Sequence, residues 1–367
     1  MRDPRINDLA DVLVGYSCEV KPGDNVMIEA TGLEIPLIEA LIEKVFEAGA
    51  MPFVSVKDSA VQRAWLMRAS DAQIMAAARY EIGRMQEMDA YIGVRGGVNA
   101  TEMADVPADR MAAWNRLFFS PVHHDIRVAK TKWVVLRYPT PSMAQQAGMS
   151  TAAMEDFYFD VCTLDYAAMS RAMEPLYNMI EKASMVRIKG NGTDLEFSIQ
   201  GIPVRKCDGH RNIPDGEVFT APVRDSVNGC ITYNTPSLYQ GVVFRDIQLQ
   251  FKDGKIVDCN GSDKKRIQEI LATDEGASYV GEFAFGVNPK VNKPMLDTLF
   301  DEKIAGSFHF TPGSCYDDCS NGNHSAIHWD LVCIQTPEYG GGEIWLDDVL
   351  VRKDGLFVPK ELQLLNP

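Results

Sequence analysis

No run of about 18 apolar residues occurs in the 367-residue chain, so no membrane-spanning helix is expected. Basic residues are scarce: 36 Lys and Arg stand against 51 Asp and Glu, a formal net charge of -15. Nucleic acid and anionic membrane both demand a basic stripe, and none is present. The densest basic run, Lys264-Lys265-Arg266, reads as a solvated helix end. No Cys-x-x-Cys pair occurs among the eight cysteines, and only Cys315 and Cys319 lie close together. Met1-Arg2-Asp3-Pro4-Arg5 has charge and proline with no apolar core behind it, so it is not expected to act as a signal peptide. Free buried thiols in a cytoplasmic protein are therefore the expectation, with a Cys315/Cys319 metal clip the lesser alternative. Gly93-Val94-Arg95-Gly96-Gly97 lacks the spacing of a dinucleotide fingerprint and reads as a sharp loop.

What is present divides the chain in two. Residues 25–30, 52–56, 90–94 and 131–136 have the texture of short strands. Apolar residues recur at helical intervals over 36–46, 60–69, 71–85 and 151–183. Strands separated by helices imply parallel pairing. After Met185 short strands and turns dominate, including 185–188, 195–199, 242–244 and 247–251, and Asp253-Gly254 is a hairpin signal. Helices are expected near 262–272 and 293–303. The fold class is thus an α/β N-terminal domain with a parallel sheet (1–184) and a mainly β, α+β C-terminal domain (185–367). His123-His124-Asp125 reads as a solvated loop, with a substrate contact the lesser alternative.

The most informative pair is His328 and Asp330, in Ser325-Ala326-Ile327-His328-Trp329-Asp330-Leu331-Val332. On a strand, period-two alternation sends both side chains to one face. An imidazole beside a carboxylate is half of a transition-metal site, or a plain His–Asp hydrogen bond. Three further acidic or imidazole groups sit in apolar or Gly-rich runs: Glu217 before Val218-Phe219, Glu282 before Phe283-Ala284-Phe285, and His309 between Phe308 and Phe310. Each alone reads as a solvated strand edge. Together they point to metal, because a buried carboxylate is costly unless paired or ligated.

The runs Asn212-Ile213-Pro214-Asp215-Gly216-Glu217-Val218-Phe219-Thr220-Ala221-Pro222, Gly281-Glu282-Phe283-Ala284-Phe285-Gly286, His309-Phe310-Thr311-Pro312-Gly313-Ser314-Cys315-Tyr316 and Ile327-His328-Trp329-Asp330 resemble the thermophilic aminopeptidase T/S metallopeptidase family. Val20 to Ile28 and Glu47-Ala48-Gly49-Ala50 fit the same family, so the resemblance spans essentially the whole chain. It implies that Glu217, Glu282, His309, His328 and Asp330 bind two divalent metals and that Tyr316 sits at the active site. A further family Glu before the third-motif His is best matched by Glu302. The Glu302–His309 spacing is longer than in the characterised peptidases, and the segment from Tyr316 to His328 is much shorter. The resemblance also implies a homodimer whose N-terminal domain helps to enclose the catalytic cavity.

Oxygen and imidazole ligands suit Zn, Mn, Co, Mg or Fe(II). One or two such ions would activate a water and polarise a substrate carbonyl, with Tyr316 donating to the oxyanion and Glu282 or Glu302 taking the water's proton. The expected function is hydrolysis of a small substrate: a short peptide or an amino-acid amide. Hydrolytic opening of a small cyclic ketone or amide is an alternative. A second alternative treats His309, His328 and Asp330 as the ligand set of a non-heme Fe(II) ring-cleaving dioxygenase. The dihydroxypyridine ring-cleaving dioxygenases are distant relatives of the family that this chain resembles.

Overall fold

The computed structural model describes residues 3–32 and 34–367. Its contacts gather into two compact units: Met1–Leu164 with Gly209–Ile213, and Asp165–Asp208 with Pro214–Pro367.

The first unit is built on a parallel sheet in spatial order Met51–Lys57, Asn25–Thr31, Ala90–Arg95, Lys132–Arg137 and Asn212–Ile213. Val26, Met27, Ile28 and Ala30 are all buried, the apolar texture of a strand covered on both faces, interrupted only by Glu29. The helix Asp71–Met85 starts at a reciprocal cap: Ser70 Oγ accepts from the Gln73 N–H while the Gln73 side chain accepts from the Ser70 N–H. Its buried stripe is Ile74, Ala78 and Met85. The last strand, Asn212–Ile213, comes from far along the chain and was not foreseen.

Residues 123–125 are helical, not loop. They lie in a wide-turned helix, Asn115–Val128, whose Phe118, Val122 and Ile126 are buried at intervals of four. Pro121 inside that helix and the two adjacent imidazoles masked the apolar stripe. His123 packs on the Phe119 ring with centroids 4.7 Å apart, and burial pulls its pKa down to about 4.

At the heart of this unit Glu29 is buried among cations. Arg127 lies 2.9 Å from its Oε2 and Arg95 3.5 Å from its Oε1, with Lys57 also paired to Oε2. Tyr91 O–H donates to Oε1 at 2.8 Å. Burial would push this carboxyl up, but Arg127 and then Lys57 outweigh it and hold it at about 2.

The expected single helix over 151–183 is two helices, Thr151–Cys162 and Tyr166–Lys182. Asp165 caps the second by accepting from the Ala168 N–H. The contact division thus falls ahead of Tyr166–Lys182, while the change of texture lies near 184. That helix is tied to its own unit by Ser170 Oγ on Asp208 (2.6 Å) and Lys206 Nζ on Glu174 (2.7 Å).

The second unit holds two larger antiparallel sheets. The eight-stranded one runs Lys255–Asn260, Gln248–Lys252, Asn228–Thr232, Thr193–Ser198, Met185–Gly190, Gly342–Leu346, Val349–Lys353 and Leu356–Phe357. Asp253 (φ 49°) and Gly254 (φ 80°) close the hairpin between its first two strands, the left-handed pair that such a turn needs. The five-stranded sheet runs Val332–Ile334, Ser307–Pro312, Val280–Gly286, Glu217–Thr220 and Arg205–Cys207. Phe197 of the large sheet meets Phe283 and Phe310 of the other at centroid distances of 5.2 and 5.0 Å.

The helix near 262–272 is Lys264–Leu271, but the one near 293–303 shrinks to Thr298–Asp301. Pro294 and the left-handed Leu296 (φ 58°) keep the preceding residues out of helix. All eight cysteines are free thiols, Cys315 and Cys319 included. No helix among the described residues is long and apolar enough to cross a membrane.

Candidate metal centre

Two neighbouring strands of the five-stranded sheet set the site. Val280–Gly286 and Ser307–Pro312 are buried along their whole lengths. Their register pairs Glu282 with Thr311, Phe283 with Phe310, Ala284 with His309 and Phe285 with Phe308. Alternation therefore gives one sheet face to phenylalanines and the other to Glu282, His309 and Thr311. Glu217 starts the next strand, opposite Gly286, on the polar face. His328 and Asp330 are not in a regular strand as expected. They lie in an extended stretch held by a single bridge from His328 to Gly313 and by the Trp329 N–H on Pro312 O at 3.0 Å. Pro312 has no N–H to continue a ladder there. The extended backbone still puts both side chains on one side, with His328 Nε2 3.1 Å from Asp330 Oδ1.

The polar tips converge. His309 Nε2–H donates to Glu282 Oε1 at 2.8 Å and lies 3.5 Å from Glu217 Oε2. His328 Nε2 is 3.5 Å from Glu282 Oε2. Thr311 O–H donates to Asp330 Oδ1 at 2.9 Å. His328 Nδ1–H donates to Ser314 O at 2.8 Å, which fixes the ring and turns Nε2 toward the carboxylates. Glu302 joins despite its longer spacing, since a tight turn through Gly306 (φ 80°) takes up the extra residues. Among the described residues, Glu217, Glu302 and His309 form one group of ligand atoms lying within 4.8 Å of one another. Glu282, His328 and Asp330 form a second such group. No such group contains His123 or His124.

The donor set fits a divalent metal. Glu217 Oε2, Glu282 Oε2 and His309 Nδ1 are buried without a hydrogen-bond partner, although buried polar atoms are normally satisfied. The electrostatics point the same way. Burial would raise Glu217, but Lys303 and then His309 outweigh it and hold the carboxyl below its ordinary value. At Glu282 burial wins, and the carboxyl is raised against the pull of His309 and His328. Burial also carries Glu302 up to about 8. Burial disfavours both imidazolium ions. Hydrogen bonding to Glu282 and the charge of Glu217 nevertheless raise His309 to about 9, and Asp330 raises His328 to about 10. An incoming metal must displace those protons.

Tyr316 packs beside the group, its ring centroid 5.0 Å from that of His328 and 5.7 Å from that of Phe219. It is 51 % exposed, so the His328–Tyr316 end is the open end of the site. The deep end holds two residues that sequence reasoning missed, Asp215 and Lys303, both fully buried. Lys303 Nζ lies 2.6 Å from Glu302 Oε1, 2.8 Å from Glu217 Oε1 and 3.5 Å from Asp215 Oδ1, as ion pairs without hydrogen-bond alignment. In sequence Asp301-Glu302-Lys303 looks like a solvated helix end. The one available signal was arithmetic: several buried carboxylates need a cation. The short segment between Tyr316 and His328 is pinned from inside. Asn323 Nδ2 donates to Gly276 O and Gly313 O, and Asn321 Nδ2 to Pro222 O and Val280 O.

Comparison with known proteins identifies the family. The aminopeptidase T of Thermus aquaticus is 25 % identical, aligned over 96 % of this chain and 96 % of its own. Aminopeptidase 2 of Geobacillus stearothermophilus is 24 % identical over 96 % of this chain and 95 % of its own. The solved structure of wild-type AmpT from Thermus thermophilus superposes with a TM-score of 0.82 at 21 % identity, covering 97 % of this chain and 99 % of that one, a likeness of fold. The family profile described as Thermophilic metalloprotease (M29) matches residues 2–342. The chain thus belongs to the thermophilic metalloprotease (M29) family and is a metallohydrolase.

Proposed function

We propose that the protein is a metal-dependent, aminopeptidase-like hydrolase of small substrates, with Glu217, Glu282, Glu302, His309, His328 and Asp330 as the candidate ligand set. The observation that carries this reading is the convergence of buried carboxylates and imidazoles, three of whose polar atoms have no hydrogen-bond partner. A bound divalent ion supplies a water that ionises near neutral pH and polarises the scissile carbonyl. The chain's own groups do the rest. His328, held through its Nδ1–H, keeps Nε2 aimed at the centre. Glu282 stands between the two imidazoles, placed to accept the proton of the attacking water. Tyr316, at the open end, offers a phenolic hydrogen bond to the oxyanion of the tetrahedral intermediate. The pinned 317–327 segment favours small substrates: short peptides, amino-acid amides or small cyclic carbonyl compounds. The same reading takes the protein as a cytoplasmic homodimer.

The test is to strip the protein with a chelator and assay amino-acid amides and dipeptides. Activity should vanish and return with divalent metal. His328→Ala should lose both metal and turnover, the latter by more than about 10³-fold, because the ion supplies several kcal/mol of transition-state stabilisation. A His328→Ala protein with full metal and full rate would place the site elsewhere. Oxygen uptake without release of amine or ammonia would instead support a mononuclear oxygenase on His309, His328 and Asp330. The observation in its favour is that Lys303 already pairs with Glu217 and Glu302.

A further inference from the structure

We infer that the Lys303 ammonium is a resident cation in the Glu217–Glu302 half of the site, so that the protein holds one divalent ion per chain, on the side of Glu282, His309, His328 and Asp330. This rests on the metallohydrolase reading above and narrows it. The six candidate ligands fall into two groups that meet at His309 and Glu282, and a third group, Cys207, Asp215 and Glu217, adjoins the deep one through Glu217. In the deep group both carboxylates are already engaged: Lys303 Nζ stands 2.8 Å from Glu217 and 2.6 Å from Glu302, with Asp215 behind it at 3.5 Å. The open group, Glu282, His328 and Asp330, has no lysine or arginine among its ion-pair partners in the described residues.

An ammonium donates and cannot ligate, so while it stays there it blocks the place where a second ion would sit. A dication sharing the oxygens of Glu217 and Glu302 would lie within a few ångströms of it, in a region largely shielded from water. Like charges repel most strongly in such a place.

The backbone gives Lys303 little room to withdraw. Its N–H donates to Phe300 O at 3.0 Å, and its carbonyl accepts from the Asn288 N–H at 3.0 Å. Ile304 bridges Asn288 in parallel pairing. Two glycines permit this close approach. A Cβ on Gly286 would meet Ile304 O at 2.4 Å, and one on Gly216 would meet Asn288 Cβ at 2.8 Å. The lysine is therefore built into the wall of the site.

One charge of the pair that the ligand set could hold is thus supplied permanently by the chain. Glu217 and Glu302 become partners of Lys303, and the exchangeable ion sits toward the solvent-facing end with His328 and Tyr316. Only that end changes when metal is removed.

The experiment is a metal count. Chelator-stripped protein is dialysed to equilibrium against Zn²⁺, and against Mn²⁺ separately, and metal per chain is read by mass spectrometry. The wild type should hold one ion per chain, and Lys303→Met should rise toward two as Glu217 and Glu302 are released. Glu217→Gln should keep one ion, which covers the case where Lys303→Met does not fold. Two ions per wild-type chain would overturn the proposal and leave the metallohydrolase reading standing. So would a Lys303→Met protein that folds and stays at one, or a Glu217→Gln protein that falls to none. A wild type that binds no ion would overturn both.

Discussion

Glu29 in the first unit and Glu217 in the second are both carboxylates buried within strands, yet the balance of charge in their clusters differs. Glu29 faces Arg127, Lys57 and Arg95, and Arg127 is shared with Glu81. Cations there outnumber acids, and the cluster is neutralised from within the chain. Around Glu217 stand Asp215, Glu302, Glu282 and Asp330, with Lys303 ion-paired to Asp215, Glu217 and Glu302. Burying uncompensated charge costs several kcal/mol per ion, so the second cluster is stable only with protons or a metal in place. A charge cluster that balances itself holds a fold together. One that leaves a deficit is where a ligand belongs.

The contrast is sharpest at two tyrosines, one beside each cluster. Tyr316→Phe should lower kcat by about 10²–10³-fold with metal content unchanged, the usual loss for one oxyanion donor. Tyr91→Phe removes a hydrogen bond donated to Glu29 and one accepted from Arg95, and should leave kcat alone while costing about 1–2 kcal/mol of stability. Steady-state kinetics and denaturant melts on the two variants check this. Reversed outcomes would break the division of roles.

The next effect in size is on the fold. Glu29→Gln should destabilise the protein by about 3 kcal/mol, since its carboxyl falls from 4.5 to about 2 on folding. A depressed pKa contributes stability that is present in full above 4.5 and fades as pH falls toward 2. The wild-type advantage over Glu29→Gln should therefore shrink across that window, as read by melts at successive pH values. An advantage constant down to pH 2 would remove the charge explanation.

Linkage to metal is somewhat smaller than the Glu29→Gln effect. Divalent ion at about 100 times its Kd should stabilise the wild type by about 2.7 kcal/mol. Glu29→Gln should gain the same increment from a lower baseline, and His328→Ala should gain none. Equal gains in all three would put the ion outside the described cluster.

Much of this site is readable in the sequence. His328 and Asp330 share a side because extended backbone alternates with period two, whether or not a ladder forms. Glu217, Glu282 and His309 stood out because each interrupts an apolar run. The Asp71–Met85 helix was legible from its apolar spacing. Lys303 was not, because a lysine after Asp301-Glu302 has the signature of a solvated turn, and only the fold of residues 286–288 against 302–304 buries it. Nor could the sequence tell that the polar face of the Val280–Gly286 strand is enclosed. Alternation normally marks a face open to water, and both faces here are buried. The helix over 115–128 was hidden by Pro121 and by two histidines that looked like ligands.

The face-sharing strands also determine where the chain can change length. Val280–Gly286 and Ser307–Pro312 present phenylalanine to one side and Glu282 or His309 to the other, in strict alternation. Deleting or inserting one residue in either strand would exchange the sides, turning Phe310 into the site and His309 among the aromatic rings. Such an event abolishes packing and chemistry together, so it has no mild intermediates for selection to refine. The 317–327 segment joins the site residues without belonging to either face. A change of length there, away from the two asparagines that pin it, would leave the alternation of both strands intact and alter only the approach to the site.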